Sequence, residues 1–145
     1  MRVSIGADHA GTDIRAAIIR ALKKKELHLI DHGTSSCQSV DYPDFACSVS
    51  DDIIKGKSHF GILICSTGIG MSIAANKIQG IRAALVHNAD AARYCRLHNN
   101  ANILCIGSKY QDADSAVIIT NIFLETYFEG GRHQRRLNKI SNIRR

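Results

Sequence analysis

The strongest chemical signal in the sequence lies in residues 62–77, ILICSTGIGMSIAANK. An apolar run ends at Cys65, and Ser66, Thr67 and two glycines follow directly before a helix-like segment. Backbone amides at such a turn, together with the helix dipole, can hold an anion. The same surroundings favour a thiolate, so Cys65 could act as a nucleophile or a base. An inert buried thiol beside an ordinary strand–helix turn explains the same residues, and the local sequence leaves both interpretations open.

Two glycine-containing turns come after predicted strands without completing a nucleotide-binding motif. Gly68 and Gly70 are followed by Ile73, where the dinucleotide fingerprint requires a third glycine. The segment GADHAGTD, residues 6–13, has the glycine spacing of a phosphate loop but carries Thr12 where the lysine belongs. We therefore expect neither a dinucleotide nor a nucleoside triphosphate.

Other acid–base side chains stand at the ends of predicted elements. Asp8 and His9 follow the first strand, and His98 closes the fourth helix. A structural histidine, or a charge on a helix C-terminus, would explain each of them individually. A metal site is disfavoured, because His28 and His32 flank a strand instead of sharing a helix face and no cysteine pair has zinc spacing.

The net charge of +6 is concentrated at the C-terminus. Residues 131–145, GRHQRRLNKISNIRR, hold 6 of the 19 basic residues and no acid, whereas the rest of the chain carries 13 charges of each sign. A nucleic-acid-binding tail is one interpretation. However, no aromatic residue is interleaved with the arginines, as single-strand binding favours. A site for a small anion fits the segment better.

The elements that must position these groups alternate between strand and helix. Apolar runs predict strands at residues 3–7, 27–31, 60–65, 81–87 and 102–107. Apolar periodicity predicts helices at residues 12–25, 43–55, 88–99 and 112–128, another that follows the glycine turn and ends at Lys77, and a terminal helix of about ten residues. Thr12 or Asp13 is the expected cap of the first helix, and Asn88 is the expected cap of the helix at residues 88–99. Near-continuous apolar strands are typical of a parallel sheet covered on both faces, and right-handed crossovers make it doubly wound. Ligands bind beyond the carboxyl ends of such strands.

Length and composition predict one domain, residues 1–145. No apolar run approaches the roughly 18 residues of a membrane span, and the N-terminus MRVSIGADH lacks the core of a secretion signal. The cysteines are odd in number and form no CxxC pair, which is typical of reduced thiols; they are Cys37, Cys47, Cys65, Cys95 and Cys105. We expect a cytoplasmic protein that binds neither membrane nor nucleic acid.

These features together describe a chemistry that none of them defines alone. A basic clamp suggests a phosphorylated substrate. A thiolate base beside backbone amides suits removal of a proton next to a carbonyl, because the amides stabilise the negative charge that develops. No motif for a redox cofactor or a metal accompanies them, so no cofactor is expected. The combination indicates an aldose–ketose isomerase.

Six blocks carry a resemblance to a known family: GADHAG, DYPDFA, GILICSTGIGMSIAANK, GIRAAL, HNNANIL and EGGRHQRR. In order, and over nearly the whole chain, they resemble the ribose/galactose isomerase family, and within it the type B ribose-5-phosphate isomerases. The resemblance implies a Rossmann-like three-layer α/β/α sandwich with a five-stranded parallel sheet and a C-terminal helix. It also implies a homodimer or a tetramer with active sites at the subunit interface, which interconverts ribose 5-phosphate and ribulose 5-phosphate.

The resemblance also implies roles for individual residues. Cys65 would move the proton between C2 and C1, His98 would help to open the furanose ring, and Thr67 with the loop amides would hold the enediolate oxygens. His9 and the tail arginines would bind the phosphate, with the partner subunit as one source of the arginines. The full implied substrate-binding set is Asp8, His9, Tyr42, Ser66, Gly68, Ile69, Gly70, Asn99, Lys109, Arg132 and Arg136.

Three positions depart from the family pattern. Ser66 replaces a frequent glycine, and Lys109 replaces a frequent arginine. Met71 stands where some members have a glutamate base, and because a thioether cannot accept a proton, Cys65 is the expected base. Three other functions stay open: a six-carbon isomerase for galactose 6-phosphate or allose 6-phosphate, a non-catalytic phosphosugar-binding regulator, and a nucleic-acid binder that uses the basic tail.

Overall fold

Five parallel strands form one sheet in the computed structural model, which describes residues 1–36 and 38–143. The strands are β1 (Arg2–Ala7), β2 (His28–Asp31), β3 (Phe60–Cys65), β4 (Ala83–Leu85) and β5 (Ile103–Gly107). Their order across the sheet is β2-β1-β3-β5-β4, with β1 and β3 paired from Val3↔Phe60 to Ala7↔Ile64. The predicted five-stranded parallel sheet is confirmed.

Helices cover both faces of the sheet, as the apolar strands predict. They are α1 (Thr12–Lys23), α2 (Tyr42–Ile54), α3 (Ile69–Ala75), α4 (Ala89–Leu97), α5 (Ala113–Glu125) and α6 (Arg132–Ser141). One buried cluster joins the sheet to α1, α4 and α5, and a second joins it to α2 and α3. These two clusters make the three-layer α/β/α sandwich. None of the helices in the described part of the chain is long and apolar enough to cross a membrane.

Two local predictions differ from the structure. The fourth strand is limited to Ala83–Leu85 because it lies at the sheet edge with half-buried side chains, so the longer apolar run is not all strand. Neither Thr12 nor Asp13 caps α1. Instead the Asp8 carboxylate accepts a hydrogen bond from the amide of Ala10 and caps a short 3₁₀ turn that leads into the helix. The Asn88 cap of α4 is confirmed by its bond from the Ala91 amide at 2.8 Å.

The sheet has two edges that matter for function. We call the side where the strands end the carboxyl edge, and the side where they begin the amino edge. Cys65 ends β3 at the carboxyl edge. Helix α4 leaves that edge after β4 and runs back, so residues 98–102 lie at the amino edge, where the Asn102 amide bonds to the Arg82 carbonyl. A six-residue strand such as β3 separates the two edges by roughly 17 Å.

A buried polar network ties α2 to the sheet. The Asp52 carboxylate accepts hydrogen bonds from Ser4 Oγ at 2.8 Å and His32 Nε2 at 2.6 Å. Ser58 Oγ lies 2.7 Å from Ser4 Oγ, and Lys57 Nζ is 3.8 Å from the carboxylate. Burial alone would raise the pKa of Asp52, but the hydrogen bonds from His32 and Ser4 and the nearby positive charge hold that pKa below its ordinary value.

Replacing the Asp52 carboxylate is expected to lower the free energy of unfolding by an amount that depends on pH. Because the folded-state pKa of Asp52 is lowered, its contribution is present above the unfolded value near 3.9 and is lost as the pH falls through the folded value. Asp52→Asn should reduce the free energy of unfolding by about 1–3 kcal/mol at pH 7, and the gap to wild type should close in acid. Urea unfolding at several pH values measures this. Asp51→Asn, at a carboxylate 57% exposed, is the matched control.

Candidate active site

The Cys65 thiol lies under the turn between β3 and α3. Its side chain is 5% exposed, and its Sγ accepts a hydrogen bond from the Gly68 amide at 3.1 Å. Burial raises the pKa of two other thiols, to about 11 for Cys95 and further for Cys105. Cys65 is thus placed with a donor directed at its sulfur, which is the arrangement that a thiolate requires. Cys37 lies outside the described residues.

Close packing fixes the turn over Cys65. Gly68 has φ +75°, and a Cβ there would lie 2.6 Å from Leu85 Cδ1. Gly107 lies so close beneath Thr67 that a Cβ on it would be 2.5 Å from the Thr67 carbonyl oxygen. The strand-end amides of Ser108 and Lys109 bond to the carbonyls of Cys65 and Ser66 at 2.9 and 2.8 Å. The turn is therefore held from below by β5, and Gly107, which was not among the predicted site residues, supports it by close packing.

Gly68→Ala is expected to disable the site more than it destabilises the fold. An alanine at φ +75° is strained by about 1–2 kcal/mol, and its methyl group meets both Leu85 and the β5 backbone. The displaced turn would move the Gly68 amide away from Cys65. We expect kcat to fall at least about tenfold, measured by steady-state kinetics alongside the melting temperature. Gly56→Ala is the control for backbone strain alone. Gly56 has φ +67°, but a Cβ added to it would have no neighbouring atom within 4 Å.

The amides of the turn divide into two groups. The Gly68 amide faces Cys65, and the Ile69 amide donates to Thr67 Oγ1 at 3.3 Å. The next first-turn amides, those of Gly70 and Met71, belong to the set that a helix leaves without intrahelical partners. Ser66 is exposed at the top of the turn. These amides can receive an anionic oxygen beside the thiol.

Tyr42, Asp8 and His9 approach the same turn. The Tyr42 ring packs on Gly70, where a Cβ would lie 2.5 Å from its Cζ. Asp8 is 5% exposed, and its amide bonds to the Ile64 carbonyl on β3. His9 Nδ1 accepts a hydrogen bond from the Val40 amide at 3.3 Å. A neutral His9 therefore carries its proton on Nε2, where it can donate to a ligand.

A second group of predicted site residues lies at the amino edge. His98 follows the last residue of α4, and its ring stacks on that of His133 with centroids 4.1 Å apart and planes inclined by 6°. Its Nε2 is 3.8 Å from Glu129 Oε2. The buried Arg96 supports this segment by donating to Asn100 Oδ1 and to the Ala101 carbonyl. Burial lowers the pKa of the Arg96 guanidinium.

Glu129 and His133 were not among the predicted site residues, although both lie in the EGGRHQRR block. His133 is 4% exposed. Burial lowers the pKa of its imidazole; His98, Arg132 and Arg136 add to that effect, and Glu129 opposes it. Arg132 Nε donates to His133 Nε2 at 3.4 Å. The contact with His98 depends on the fold, and nothing in the local sequence of His133 indicates it.

His98, Glu129 and His133 are also the group in the described part of the chain whose ligand-type atoms come within 4.8 Å of one another. Their geometry is poorly suited to a metal ion. Because the two rings are nearly parallel, the lone pairs in their planes do not converge on one point. Arg132 also places an N–H donor at His133 Nε2, where a cation would have to bind. The cluster suits proton transfer better than ligation.

The predicted site residues therefore fall into two sets that one chain does not bring together. The carboxyl edge carries Asp8, His9, Tyr42, Cys65, Ser66, Thr67, Gly68, Ile69, Gly70 and Lys109. The amino edge carries His98, Asn99, Arg132 and Arg136. A groove of about 910 Å³ also lies at the amino edge, lined by residues of α6 and by Gly80, Ile81, Arg82 and Asn99.

Comparison with known proteins agrees with this arrangement of elements. Residues 3–140 match the family model described as Ribose/Galactose Isomerase. The chain belongs to the ribose/galactose isomerase family. The ribose-5-phosphate isomerase B of Escherichia coli is 39% identical over 142 residues, which cover 98% of this chain and 95% of that protein.

Solved structures of family members share the fold closely. The Thermotoga maritima ribose 5-phosphate isomerase has a TM-score of 0.95 and 46% identity, over 98% of both chains. The Mycoplasma genitalium ribose-5-phosphate isomerase B, solved with bound ribulose-5-phosphate, has a TM-score of 0.93 and 42% identity, over 97% of this chain and 93% of that one. The predicted family and fold are both confirmed.

Proposed function

We propose that this protein is an aldose–ketose isomerase that interconverts ribose 5-phosphate and ribulose 5-phosphate, a step of the pentose phosphate pathway, in one domain of residues 1–145. The observation that carries the proposal is the position of the Cys65 thiol, which accepts a hydrogen bond from the Gly68 amide. The turn above it has further backbone amides that can bind an anionic oxygen. A protein that only binds a phosphosugar does not need a base at this place. The family member with bound ribulose-5-phosphate supports the same substrate.

The chemistry follows from the carboxyl-edge set. In the open-chain aldose, the Cys65 thiolate takes the C2 proton, and the electron pair forms the C1=C2 bond while negative charge moves to O1. Thr67 and those amides of residues 66–70 that have no partner within the turn stabilise that enediolate; removing one such donor typically costs roughly 3 kcal/mol of transition-state stabilisation. The thiol then returns its proton to C1, while the proton of the C2 hydroxyl passes to O1, so that C2 becomes the ketone and O1 the new hydroxyl. Asp8 and Tyr42 of this edge bind the sugar together with Asn99 of a partner subunit, because Asn99 lies at the amino edge of its own chain. No step requires a cofactor.

We propose a complex of two copies of the chain, because the carboxyl edge that carries Cys65 does not also carry His98, the assigned acid for ring opening. His98 lies at the opposite edge of the sheet from Cys65 of the same chain, so we assign it to the site of a partner subunit. Helix α6 and the residues just after it offer a surface for that contact, since Ile140 is 51% and Ile143 is 71% exposed beside the amino-edge groove. A homodimer is the smallest assembly that completes the site, and a tetramer would repeat it.

The phosphate is assigned to His9 and Lys109 of one chain and to Arg132 and Arg136 of the other. The arginines are exposed on α6, and a guanidinium can bind a phosphate through two parallel hydrogen bonds. A cytoplasmic location belongs to the same proposal, since Cys47, Cys65, Cys95 and Cys105 are free thiols, which a reducing compartment maintains.

The test of the function is turnover of ribose 5-phosphate by the purified chain, followed as ribulose 5-phosphate formation. We expect turnover there and much weaker turnover of galactose 6-phosphate and allose 6-phosphate. If the protein preferred a hexose phosphate, the proposed substrate would change from ribose 5-phosphate to that hexose phosphate. Binding of these sugars without turnover would identify a regulator, and salt-sensitive RNA or DNA affinity would favour a nucleic-acid binder.

Arg136→Ala is expected to raise the KM for ribose 5-phosphate roughly tenfold or more while kcat changes little. The reason is that a charge-assisted hydrogen bond to phosphate holds substrate and transition state alike, at about 1.5–3 kcal/mol. Steady-state kinetics measure both constants. Arg135→Ala, at the neighbouring exposed position on α6, is the matched control. An unchanged KM in Arg136→Ala would remove this residue from the phosphate site.

A further inference from the structure

Three side chains at the amino edge, His98, Glu129 and His133, make up what we call the His98 cluster. We propose that Glu129 and His133 are positioning residues for ring opening, which hold the His98 imidazole in the orientation in which it can donate a proton to the substrate. This inference rests on the proposed isomerase function and adds two residues that the mechanism above does not use.

Glu129 is fixed beside His98 by the backbone. Its amide donates to the Leu97 carbonyl at 3.0 Å, so the residue directly before His98 anchors it. Its carboxylate oxygen is 3.8 Å from Nε2 of both His98 and His133. Glu129 therefore lies within ion-pair distance of the imidazole nitrogens of both histidines. The His98 side chain is 35% exposed and can still reach a substrate, while the Glu129 carboxylate lies beside its ring.

His133 supplies a flat and neutral surface for the His98 ring. It is almost completely buried, and the two rings are parallel within 6°. Burial and the neighbouring His98 lower the pKa of His133, so the pair avoids two positive charges in contact. Because Arg132 Nε donates to His133 Nε2, the neutral ring carries its proton on Nδ1. Tyr94 lies against His98 with centroids 5.0 Å apart. The plane of the His98 ring is thereby defined by its neighbours.

The chemistry of the substrate separates ring opening from proton transfer. Ribose 5-phosphate is a furanose, so its C1–O4 bond must break while O4 receives a proton and the C1 hydroxyl loses one. Ribulose 5-phosphate cannot close such a ring, because the oxygen that would attack its ketone is esterified to phosphate. Exchange of its C1 proton with solvent deuterium needs the Cys65 base and the enediolate but no ring opening. The His98 cluster should therefore affect one reaction and not the other.

The experiment compares these two reactions in Glu129→Gln. We expect kcat for ribose 5-phosphate to fall about tenfold, part of the contribution of a general acid, while the C1 exchange rate of ribulose 5-phosphate stays within about twofold of wild type. His133→Ala should behave similarly, and His133→Phe should recover much of the loss because it keeps a flat ring. Glu125→Gln is the matched control, since this exposed glutamate pairs with Lys25 instead.

Three results would overturn the inference. If both rates fell in parallel in Glu129→Gln, the residue would have a structural role only; Glu129 is 55% exposed, so that variant should fold. If neither rate fell, the carboxylate would have no role in the reaction. If wild type turned over no ribose 5-phosphate at all, the proposed function itself would fail, and this outcome is distinct because it needs no variant.

Discussion

Cys65→Ser is expected to abolish isomerisation almost completely, with kcat reduced roughly a thousandfold or more. A general base contributes about 10²–10⁴-fold, and a serine hydroxyl is far too weak an acid to supply an anion at neutral pH. The serine oxygen can still accept the Gly68 hydrogen bond, so the turn should keep its shape. The substitution thus removes the proton acceptor and leaves the anion site in place. Steady-state kinetics on ribose 5-phosphate measure the loss.

The same variant should also lose C1 proton exchange of ribulose 5-phosphate, because enediolate formation in either direction passes through the thiolate. This distinguishes Cys65 from the His98 cluster, whose loss should leave exchange intact. Substrate binding should persist, since the phosphate ligands are unchanged. Cys47→Ala, at an exposed thiol on α2, is the matched control and should keep full activity. Substantial turnover by Cys65→Ser would remove this residue as the base.

The sequence predicted the sheet because its central strands are buried on both faces. Residues of β1, β3 and β5 are almost all buried, and so the apolar runs mark their limits closely. The edge strand β4 lacks this constraint, and its predicted limits were too wide. The cap before α1 was missed because Asp8 serves a 3₁₀ turn, and the spacing of the helix does not reveal that turn.

The carboxyl-edge site was also accessible from sequence, because a parallel sheet places the residues that follow its strands at one edge. Cys65 and its turn are continuous in the chain, so their local geometry follows from strand, glycine and helix. The positions of Glu129 and His133 beside His98 depend instead on how α4, α5 and α6 pack. The role of Gly107 likewise depends on Thr67 of another segment lying directly above it. Such contacts need the three-dimensional fold.

Because Cys65 and His98 lie at opposite edges of one chain, we expect activity to return when two inactive variants form mixed dimers. Cys65→Ser should be inactive, and His98→Ala should be strongly impaired on ribose 5-phosphate. In a mixed dimer, one site would combine Cys65 of the His98→Ala chain with His98 of the Cys65→Ser chain. Random pairing makes half of the dimers mixed, each with one intact site of two, so about a quarter of wild-type activity should return.

The experiment requires that subunits exchange, so the two chains are co-expressed with different affinity tags and the doubly tagged species is purified. That species should reach about half of wild-type activity per dimer, because one of its two sites is intact. Separately purified variants, mixed without exchange, are the control. Co-expression of Cys65→Ser with a doubly substituted Cys65→Ser, His98→Ala chain should restore nothing. If the doubly tagged species stayed inactive, Cys65 and His98 would not act across the subunit boundary, and the acid would have to be sought on the carboxyl edge of the same chain.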